Sequence, residues 1–421
     1  MSDRWKAIAE LAGAAQKTYK HDVVLFGGNV QKLDRIPIDS TSFNYATGGG
    51  IPRGRITTFC GEWSSGKTTV ALKVIASAQN LCRHCWRAPT EFKIEEIPEA
   101  ERSQTLERTH RAIGKCDCVK KGLWVPVPLQ GEKDKEFKER LEALNENSFD
   151  EFVCWFFDVE GTFDPEWATL HGVDTSRLLL SYPESAERTV DLVSAALQTA
   201  SIDLIVIDSL AAMTPETEIE VSAEKNQQGL QARLLNKAVR KWVSDTAKVA
   251  NETHLPPTMI WIQQIRQKIG VMFGDPSVKP GGKGQDFANS LELKFWTSDK
   301  VSEKIQIGTA KDETANVPIE ITVNFKLLKN KTGSPLRDGS FRMSLITNHE
   351  RGVRLGQVLE SDFIFSTCMQ LGIIAKDNNK LYVLGEEFAS QKAIKERWRG
   401  NRTEYDAIRK VVLNRLMELT V

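Results

Sequence analysis

Nine consecutive residues near the start of the chain have the composition of a phosphate-binding loop. The stretch GEWSSGKTT, Gly61–Thr69, fits the pattern G-x-x-x-x-G-K-[ST] and lies between an apolar run and a helical repeat of apolar residues. In that context backbone N–H groups cradle phosphates, a lysine neutralises the β- and γ-oxygens, and a hydroxyl binds Mg²⁺. The residues predicted to hold ATP here are Gly61, Ser64, Ser65, Gly66, Lys67, Thr68 and Thr69.

Carboxylates follow two other apolar runs, at positions suited to binding a magnesium ion and to orienting an attacking water. Asp208 ends the run IVID, and an acid at that position holds the Mg²⁺ that Thr68 also binds. The run FFDVEG offers Asp158 and Glu160, and hydrolysis requires one carboxylate that orients water beside the phosphates. The residues alone do not rank Asp158 against Glu160.

The elements that must position these residues alternate between strands and helices. Apolar runs over 55–60, 152–160, 203–209 and 258–265 predict buried strands, and residues with helical spacing follow the first three. This alternation predicts an α/β fold with a mainly parallel sheet, built on a P-loop ATPase core.

A long interruption and a change of composition predict further domains. Connections in α/β units usually span about 2–6 residues, so the roughly 70 residues of 82–152 indicate an inserted module. The predicted parts are an N-terminal helix with its linker (1–36), the ATPase core (37–81 plus 153–344), the inserted module (82–152) and a small α+β C-terminal domain (345–421).

Four of the seven cysteines lie in the inserted module, in two close pairs. The pairs are Cys82 with Cys85, and Cys116 with Cys118. Four thiolates suit a tetrahedral Zn²⁺ ion, which stabilises a module too small for a core of its own. Free thiols are the alternative, and His84 and His110 are possible substitute ligands. An odd number of cysteines argues against a disulfide framework.

A glycine-rich loop and a basic helix stripe are candidates for contact with a polyanion. The loop after residue 264 combines glycines with Ile269, Met272 and Phe273, an apolar composition that suits contact with the faces of bases. The alternative is that 271–273 pack onto the core. On the helix after residue 229, Arg233, Lys237 and either Arg240 or Lys241 recur at helical spacing, which places them on one face.

The overall composition limits the class of protein. Lys+Arg and Asp+Glu are equal at 56 each, so nucleic-acid binding would depend on local patches. No apolar run approaches the roughly 18 residues of a membrane span, and the first twenty residues lack the apolar centre of a signal peptide. These features predict a cytoplasmic protein that does not contact a membrane.

Several of these motifs, in this order, resemble the bacterial RecA recombinase family. They are GEWSSGKTT, DVEGTFDPEWA, IVIDSLAAMTPETEIE, QQIRQKIGVMFGDP and LKNKTG, and the similarity extends over most of the chain outside 82–152. The resemblance implies that Glu160, rather than Asp158, is the catalytic carboxylate. It also implies that Trp167 stacks on adenine beside Asp164, and that Gln264 senses the γ-phosphate.

The resemblance further implies roles in DNA binding and in assembly. Lys329 and Lys331 would reach the nucleotide of a neighbouring subunit in a filament, where Phe287 lies at the interface. Asp286 and Gln228 depart from the family, which usually has a lysine and a methionine there. The implied DNA contacts are Arg233, Arg240, Arg266, Ile269, Met272, Phe273, Gly281 and Gly282.

These implications together predict a DNA-dependent ATPase that polymerises on single-stranded DNA. It would catalyse pairing and strand exchange with homologous duplex DNA, and the C-terminal domain would receive that duplex. The rival prediction is a RadA/Sms-like or hexameric helicase motor, which shares the ATPase core. A DNA scaffold that binds ATP without hydrolysing it is a third possibility, against which Glu160 argues.

Overall fold

The central feature of the fold is one large, mainly parallel β-sheet with helices on both faces. The structure, a computed structural model, describes residues 3–19, 33–102, 105, 108–129, 131–220, 229–253, 255–267, 277–280, 284–306, 314–378 and 380–419. The α/β fold predicted from the alternation of elements is confirmed.

The helices begin with the one expected at the N-terminus. In chain order they are α1 (Asp3–Tyr19), α2 (Thr41–Thr47), α3 (Lys67–Ala78), α4 (Asp134–Glu146), α5 (Pro165–Leu170), α6 (Ala186–Gln198), α7 (Glu216–Glu220), α8 (Leu230–Thr253), α9 (Gly284–Ala288), α10 (Ser361–Gln370), α11 (Gln391–Gly400) and α12 (Arg402–Glu418). Within the described part of the chain, none of these helices has the length and apolar character needed to cross a membrane.

The strands are more numerous, and several are only two residues long. They are β1 (Arg35–Ile36), β2 (Ile51–Pro52), β3 (Ile56–Gly61), β4 (Glu91–Glu96), β5 (His110–Lys115), β6 (Cys154–Asp158), β7 (Leu178–Ser181), β8 (Leu204–Asp208), β9 (Thr258–Gln264), β10 (Arg266–Gln267), β11 (Ser277–Val278), β12 (Leu291–Gln306), β13 (Thr314–Asn330), β14 (Asp338–Ser344), β15 (Val358–Leu359), β16 (Ile374–Asp377), β17 (Lys380–Val383) and β18 (Glu386–Phe388).

The main sheet has the strand order β15-β14-β13-β12-β3-β9-β8-β6-β7. From β12 to β7 every pairing is parallel, whereas β12 to β15 pair antiparallel. The register sets Asp158 opposite Asp208, and Gly61 opposite Gln264. Because parallel strands end at a common edge, these four residues lie together at the carboxyl edge of the sheet.

Both faces of the parallel strands are buried, as their continuous apolar runs predict. On one face Val206 packs in a cluster with Val70 and Val74 of α3. On the other face Ile207 packs with α6 and α8, where Trp242 is fully buried. The phosphate-binding loop is therefore held between a sheet and a helix that are both anchored in the core.

The long hairpin formed by β12 and β13 was not among the predicted elements. Its first residues alternate apolar and charged, and Leu291, Leu293 and Phe295 all point into the core. This alternation is the period-2 pattern of a strand, so the signal was present in the sequence. It was missed because the pattern differs from the continuous apolar runs of the parallel strands.

The C-terminal segment has its own small hydrophobic core. That core includes Ile364, Trp398 and Val412, contributed by α10, α11 and α12, together with residues of the antiparallel sheet β16-β17-β18. Arg409 of α12 joins this unit to the ATPase core, because its guanidinium donates to the backbone carbonyl of Asp39 and, at 3.3 Å, to Thr41 Oγ1. The bounds predicted for the four parts remain predictions.

Candidate functional site

The phosphate-binding loop has the backbone conformation that its glycines permit. β3 ends at Gly61, and α3 begins at Lys67 after Gly66, whose φ is +87°. Ser64 also has a positive φ, of +54°. A Cβ atom on Gly61 would lie 2.5 Å from the carbonyl oxygen of Phe295 and 2.6 Å from Ser65 Oγ. Glycine is thus required at Gly61 by space and favoured at Gly66 by conformation.

Lys67 and Thr68 lie at the first turn of α3, facing Asp208. Lys67 Nζ donates to the Glu62 carbonyl at 2.6 Å and to Ser65 Oγ at 3.2 Å, and burial lowers the pKa of Lys67. Thr68 Oγ1 donates to Asp208 Oδ2 at 2.6 Å. Burial, and to a smaller extent the nearby Glu160, raise the pKa of Asp208 to about 6. A hydroxyl and a carboxylate at this separation fit the ligands of a Mg²⁺ ion beside phosphates.

Glu160 and Asp158 differ in their surroundings. Asp158 is buried, and its Oδ2 accepts the backbone N–H of Phe163 at 2.7 Å, which holds the turn after β6. Glu160 is exposed, and its Oε1 accepts from Ser209 Oγ and from Gln264 Nε2, the latter at 2.8 Å. The geometry therefore favours Glu160 as the carboxylate that orients water, a ranking that the residues alone did not supply.

Ser209 is a site residue that the sequence analysis missed. It follows Asp208 directly, is buried, and donates to the carboxylate of Glu160. A hydroxyl directly after an apolar strand with an acidic end was the available signal. It carried little weight, because its partner lies 49 positions away in the chain.

Asp164 and Trp167, expected beside the adenine, belong to α5. Asp164 caps this helix, since its Oδ1 accepts the N–H groups of Glu166 and Trp167 at 2.8 and 3.1 Å. Trp167 is half-buried, and its ring meets the ring of His171 edge-on, with 4.6 Å between the ring centroids. Asp164 thus fixes the helix that carries the tryptophan.

Lys329 and Lys331, at the end of β13, both contact the last turn of α9. Lys329 Nζ donates to the carbonyl of Asp286 and, at 2.9 Å, to Asn289 Oδ1. Lys331 Nζ donates to the carbonyl of Phe287 at 2.9 Å. Within one subunit, the two lysines therefore bind α9 and not the phosphate-binding loop.

The basic residues of α8 form an exposed face. Arg233, Lys237 and Arg240 are exposed, whereas Leu235 and Trp242 on the opposite side are buried. No ion-pair partner is recorded for the three basic side chains among the residues that the structure describes. A positive face of this kind is suited to phosphates of a nucleic acid.

The loop predicted to contact bases is only described at its ends. Arg266 lies in β10, whose backbone pairs with β11 so that Arg266 is opposite Val278. The other predicted DNA contacts of this loop lie outside the described residues. They are Ile269, Met272, Phe273, Gly281 and Gly282.

The four cysteines of the inserted module come together in space. Their Sγ atoms all lie within 4.8 Å of one another, and Cys85 Sγ and Cys116 Sγ are 3.7 Å apart. Zn–S bonds of about 2.3 Å in a tetrahedron place sulfur atoms about 3.8 Å apart, so these thiols fit a zinc ion. The two histidines are engaged elsewhere: His84 Nδ1 bonds to the Ser148 carbonyl at 2.8 Å, and His110 Nδ1 bonds to Thr109 Oγ1 at 2.9 Å.

This cysteine cluster is attached to the amino edge of the sheet, opposite the phosphate-binding loop. Arg83, within the first cysteine pair, forms an ion pair at 3.0 Å with Asp203, the residue before β8. Asp203 also accepts the N–H of Val153, just before β6, at 2.8 Å. Desolvation of this buried carboxyl group raises the pKa of Asp203 to about 6, although Arg83 opposes the shift. A metal ion here would be structural, because the strands separate it from the nucleotide site.

The fold and the site together define a P-loop protein of the α/β class, and comparisons place it in a family. The family model described as RecA N-terminal domain matches residues 6–97 and 137–348. The unmatched residues 98–136 lie within the predicted insertion.

Curated relatives agree with this assignment. Protein RecA of Kineococcus radiotolerans is 31% identical over 81% of this chain and 74% of its own length. Protein RecA of a Nocardioides species is 33% identical over 80% and 73% of the two chains. For Protein RecA of Acholeplasma laidlawii the values are 30% identity over 86% and 81%. The chain belongs to the RecA family, and its role is that of a recombinase in DNA repair that binds ATP and DNA.

The cysteine cluster leads to a testable expectation. Protein purified under reducing conditions should contain about one zinc ion per chain, measured by mass spectrometry of the metal. Cys116→Ala should lose the zinc and lower the melting temperature, because three thiolates hold the ion less tightly. Cys368→Ala, in the separate C-terminal core, is the matched control and should keep it. Zinc-free wild-type protein with four titratable thiols would contradict the expectation.

Proposed function

We propose that this chain is a DNA-dependent ATPase that assembles into helical filaments on single-stranded DNA and catalyses strand exchange with homologous duplex DNA. The observation that carries the proposal is the convergence of Lys67, Thr68, Asp208, Glu160 and Gln264 at one edge of the sheet. Thr68 donates to Asp208 at 2.6 Å, and Gln264 donates to Glu160 at 2.8 Å. We place this activity in the cytoplasm, where the thiols of the cysteine cluster remain reduced.

ATP binds with its phosphates in the loop Gly61–Thr69 and its base beside Trp167. Lys67, which is buried at the start of α3, contacts the β- and γ-phosphates in place of the Glu62 carbonyl. Thr68 and Asp208 would hold Mg²⁺, which would supply charge neutralisation at the phosphates. Its positive charge would also offset the unfavourable burial of the Asp208 carboxylate.

Glu160 orients the attacking water. Ser209 and Gln264 both donate to its Oε1, and no hydrogen bond to Oε2 is recorded within the described part of the chain. One oxygen is thus held in place while the other can accept from water. Gln264 is also the last residue of β9, and β10 and the loop predicted to contact bases follow it in the chain. A change at the γ-phosphate therefore reaches that loop through the side chain of Gln264.

A neighbouring subunit completes the site with Lys329 and Lys331. Two cations supplied from another subunit act as an arginine finger does, and stabilise transition-state charge only after assembly. Two large aromatic side chains support an interface here. Trp63 in the phosphate-binding loop is 81% exposed and Phe287 in α9 is 77% exposed, and such residues are typically covered when subunits associate.

The N-terminal helix supports the same assembly. α1 exposes Ile8 and Leu11 on one face, and the core carries a cleft lined in part by Val243, Ala247 and Pro256. An apolar helix face and an apolar cleft fit each other when they belong to successive subunits. We propose that α1 of one subunit packs in the cleft of the next.

DNA lies along the exposed basic face of α8, and residues that follow β10 in the chain contact it as well. Arg233 and Arg240 contact phosphates, which gives affinity without sequence preference. Arg266, Gly281 and Gly282 also contact the backbone, while Ile269, Met272 and Phe273 contact bases. Contact between apolar side chains and base faces tolerates every sequence, as a recombinase requires.

The function is tested by strand exchange with homologous and unrelated duplexes. Wild-type protein with Mg²⁺ and ATP should convert the homologous duplex only, and electron micrographs should show open helices on single-stranded DNA. Lys67→Ala should abolish both ATP turnover and exchange, because the phosphates lose their buried cation. Closed rings that unwind DNA without exchanging strands would support the RadA/Sms-like or hexameric helicase motor instead.

The role of Glu160 can be separated from that of Asp158. Glu160→Gln should reduce kcat for ATP by about 10²- to 10⁴-fold while fluorescent ATP still binds, because only the orientation of water is lost. Asp158→Asn is the matched control, and it keeps an oxygen that accepts the N–H of Phe163. It should change kcat by less than about tenfold. The reverse order of effects would assign the role to Asp158.

The contribution across subunits can be measured with Lys331→Ala. The variant should bind ATP as well as wild type but lose about 10³-fold or more of its DNA-stimulated hydrolysis, measured by phosphate release. Lys326→Ala, an exposed lysine on the same strand, is the control and should retain it. Full stimulation in Lys331→Ala would contradict the proposal.

A further inference from the structure

A closed circuit of polar contacts surrounds α9 and includes Lys329. Lys279 Nζ donates to the carboxylate of Asp286 and, at 2.7 Å, to Glu292 Oε1. Glu292 Oε2 accepts from Asn289 Nδ2 at 2.7 Å, and Asn289 Oδ1 accepts from Lys329 Nζ at 2.9 Å. Lys329 Nζ also donates to the backbone carbonyl of Asp286, which closes the circuit at the residue where it began.

The circuit is mostly withdrawn from water. Glu292 is 5% exposed and Asn289 is fully buried. The side chain of Lys279 is 20% exposed, while that of Asp286 is 43% exposed. A buried carboxylate without a cation is strongly unfavourable, so Glu292 requires one of the two lysines at all times.

Its charges balance: Lys279 and Lys329 oppose Asp286 and Glu292. Burial acts to lower the pKa of Lys279, but hydrogen bonds to the two carboxylates raise it above the ordinary value. Burial and the charge of Lys331 lower the pKa of Lys329. Lys279 is therefore the cation that the acids hold firmly, and Lys329 is held mainly by neutral oxygens of Asn289 and the backbone.

The helix at the centre of the circuit is itself fixed. Gln285 of α9 and Gln263 of β9 are both buried and hydrogen-bonded to each other. Gln285 Nε2 also donates to the carbonyl of Pro280 at 2.9 Å. Because α9 is tied to the sheet at this point, Lys329 can move toward a new partner only by breaking its own contacts.

We propose that Lys279 is a positioning residue for ATP turnover: it neutralises Asp286 and Glu292 so that Lys329 is free to leave α9 and bind the nucleotide of the neighbouring subunit. The inference rests on the proposed function of Lys329. Without Lys279, the two acids have Lys329 as their nearest cation in the circuit and retain it within its own subunit.

The inference is tested with three variants of the full-length chain. Lys279→Met should lower kcat for DNA-stimulated ATP hydrolysis about tenfold or more, with little change in KM. The unbalanced carboxylate attracts Lys329 more strongly, which raises the free energy needed to move Lys329 from α9 to the nucleotide. Lys279→Met with Glu292→Gln removes the buried carboxylate that would otherwise retain Lys329, and should recover kcat to within about threefold of wild type. Lys279→Met with Glu292→Asp changes the same position without removing the charge, and should not recover.

Folding is controlled by Lys279→Arg, which keeps the charge and should keep both kcat and melting temperature near wild type. The inference is overturned if Lys279→Met retains wild-type kcat, if Glu292→Asp rescues as well as Glu292→Gln, or if Lys279→Arg loses turnover as Lys279→Met does. Lys329→Ala is measured in parallel. If it leaves DNA-stimulated hydrolysis unchanged, the proposed role of Lys329 fails and this inference fails with it. If it abolishes hydrolysis while Lys279→Met does not, only this inference fails.

Discussion

The parallel pairing of β3, β9, β8 and β6 is the constraint on which the site depends. Strands that run in one direction end at one edge, so Gly61, Gln264, Asp208 and Asp158 become neighbours, although more than two hundred positions separate Gly61 from Gln264. The loop after β3 then feeds α3, whose first turn supplies Lys67 and Thr68. The residues predicted to bind phosphate, Mg²⁺ and the attacking water share this edge because the parallel strands that carry them all end there.

Lys329, near the end of β13, and Lys331, just after it, illustrate how a site can be incomplete in one subunit. Lys329 and Lys331 bind carbonyl oxygens of α9, which are neutral acceptors. Charge-assisted bonds to phosphate are stronger than bonds to neutral oxygens, so a nucleotide on an adjacent subunit is the better partner. In the proposed assembly, the two lysines leave α9 when they bind the ATP of the adjacent subunit. ATP binding is thereby linked to α9, which follows the loop predicted to contact DNA in the chain.

The inserted module occupies the opposite edge, where it cannot interfere with this chemistry. Arg83 and Asp203 join it to the sheet at the residues that precede the strands. A strand of five residues such as β8 separates the two edges by roughly 15 Å. The ATPase core can therefore accept an insertion there without any change at the nucleotide, which is why the family pattern continues on both sides of it.

The sequence by itself determined those features of the protein that depend on residues close together in the chain. The phosphate-binding loop is recognisable because strand, glycine loop and helix are adjacent in the chain, and the alternation of apolar runs indicates the α/β fold. Each cysteine pair lies within four residues, although only the fold brings the two pairs together. The resemblance to RecA, and not the residues alone, ranked Glu160 above Asp158 and singled out the two lysines.

Tertiary structure decided what depends on contacts between distant residues. The hydroxyl of Ser209 on Glu160 joins positions 49 apart, and Lys329 meets Asn289 across 40. The strand order and the β12–β13 hairpin likewise depend on which strands pair, which no single segment specifies. A charge such as Glu292 looks like an exposed residue of an alternating strand, yet it is buried, because Lys279 and Asn289 reach it only in the folded chain.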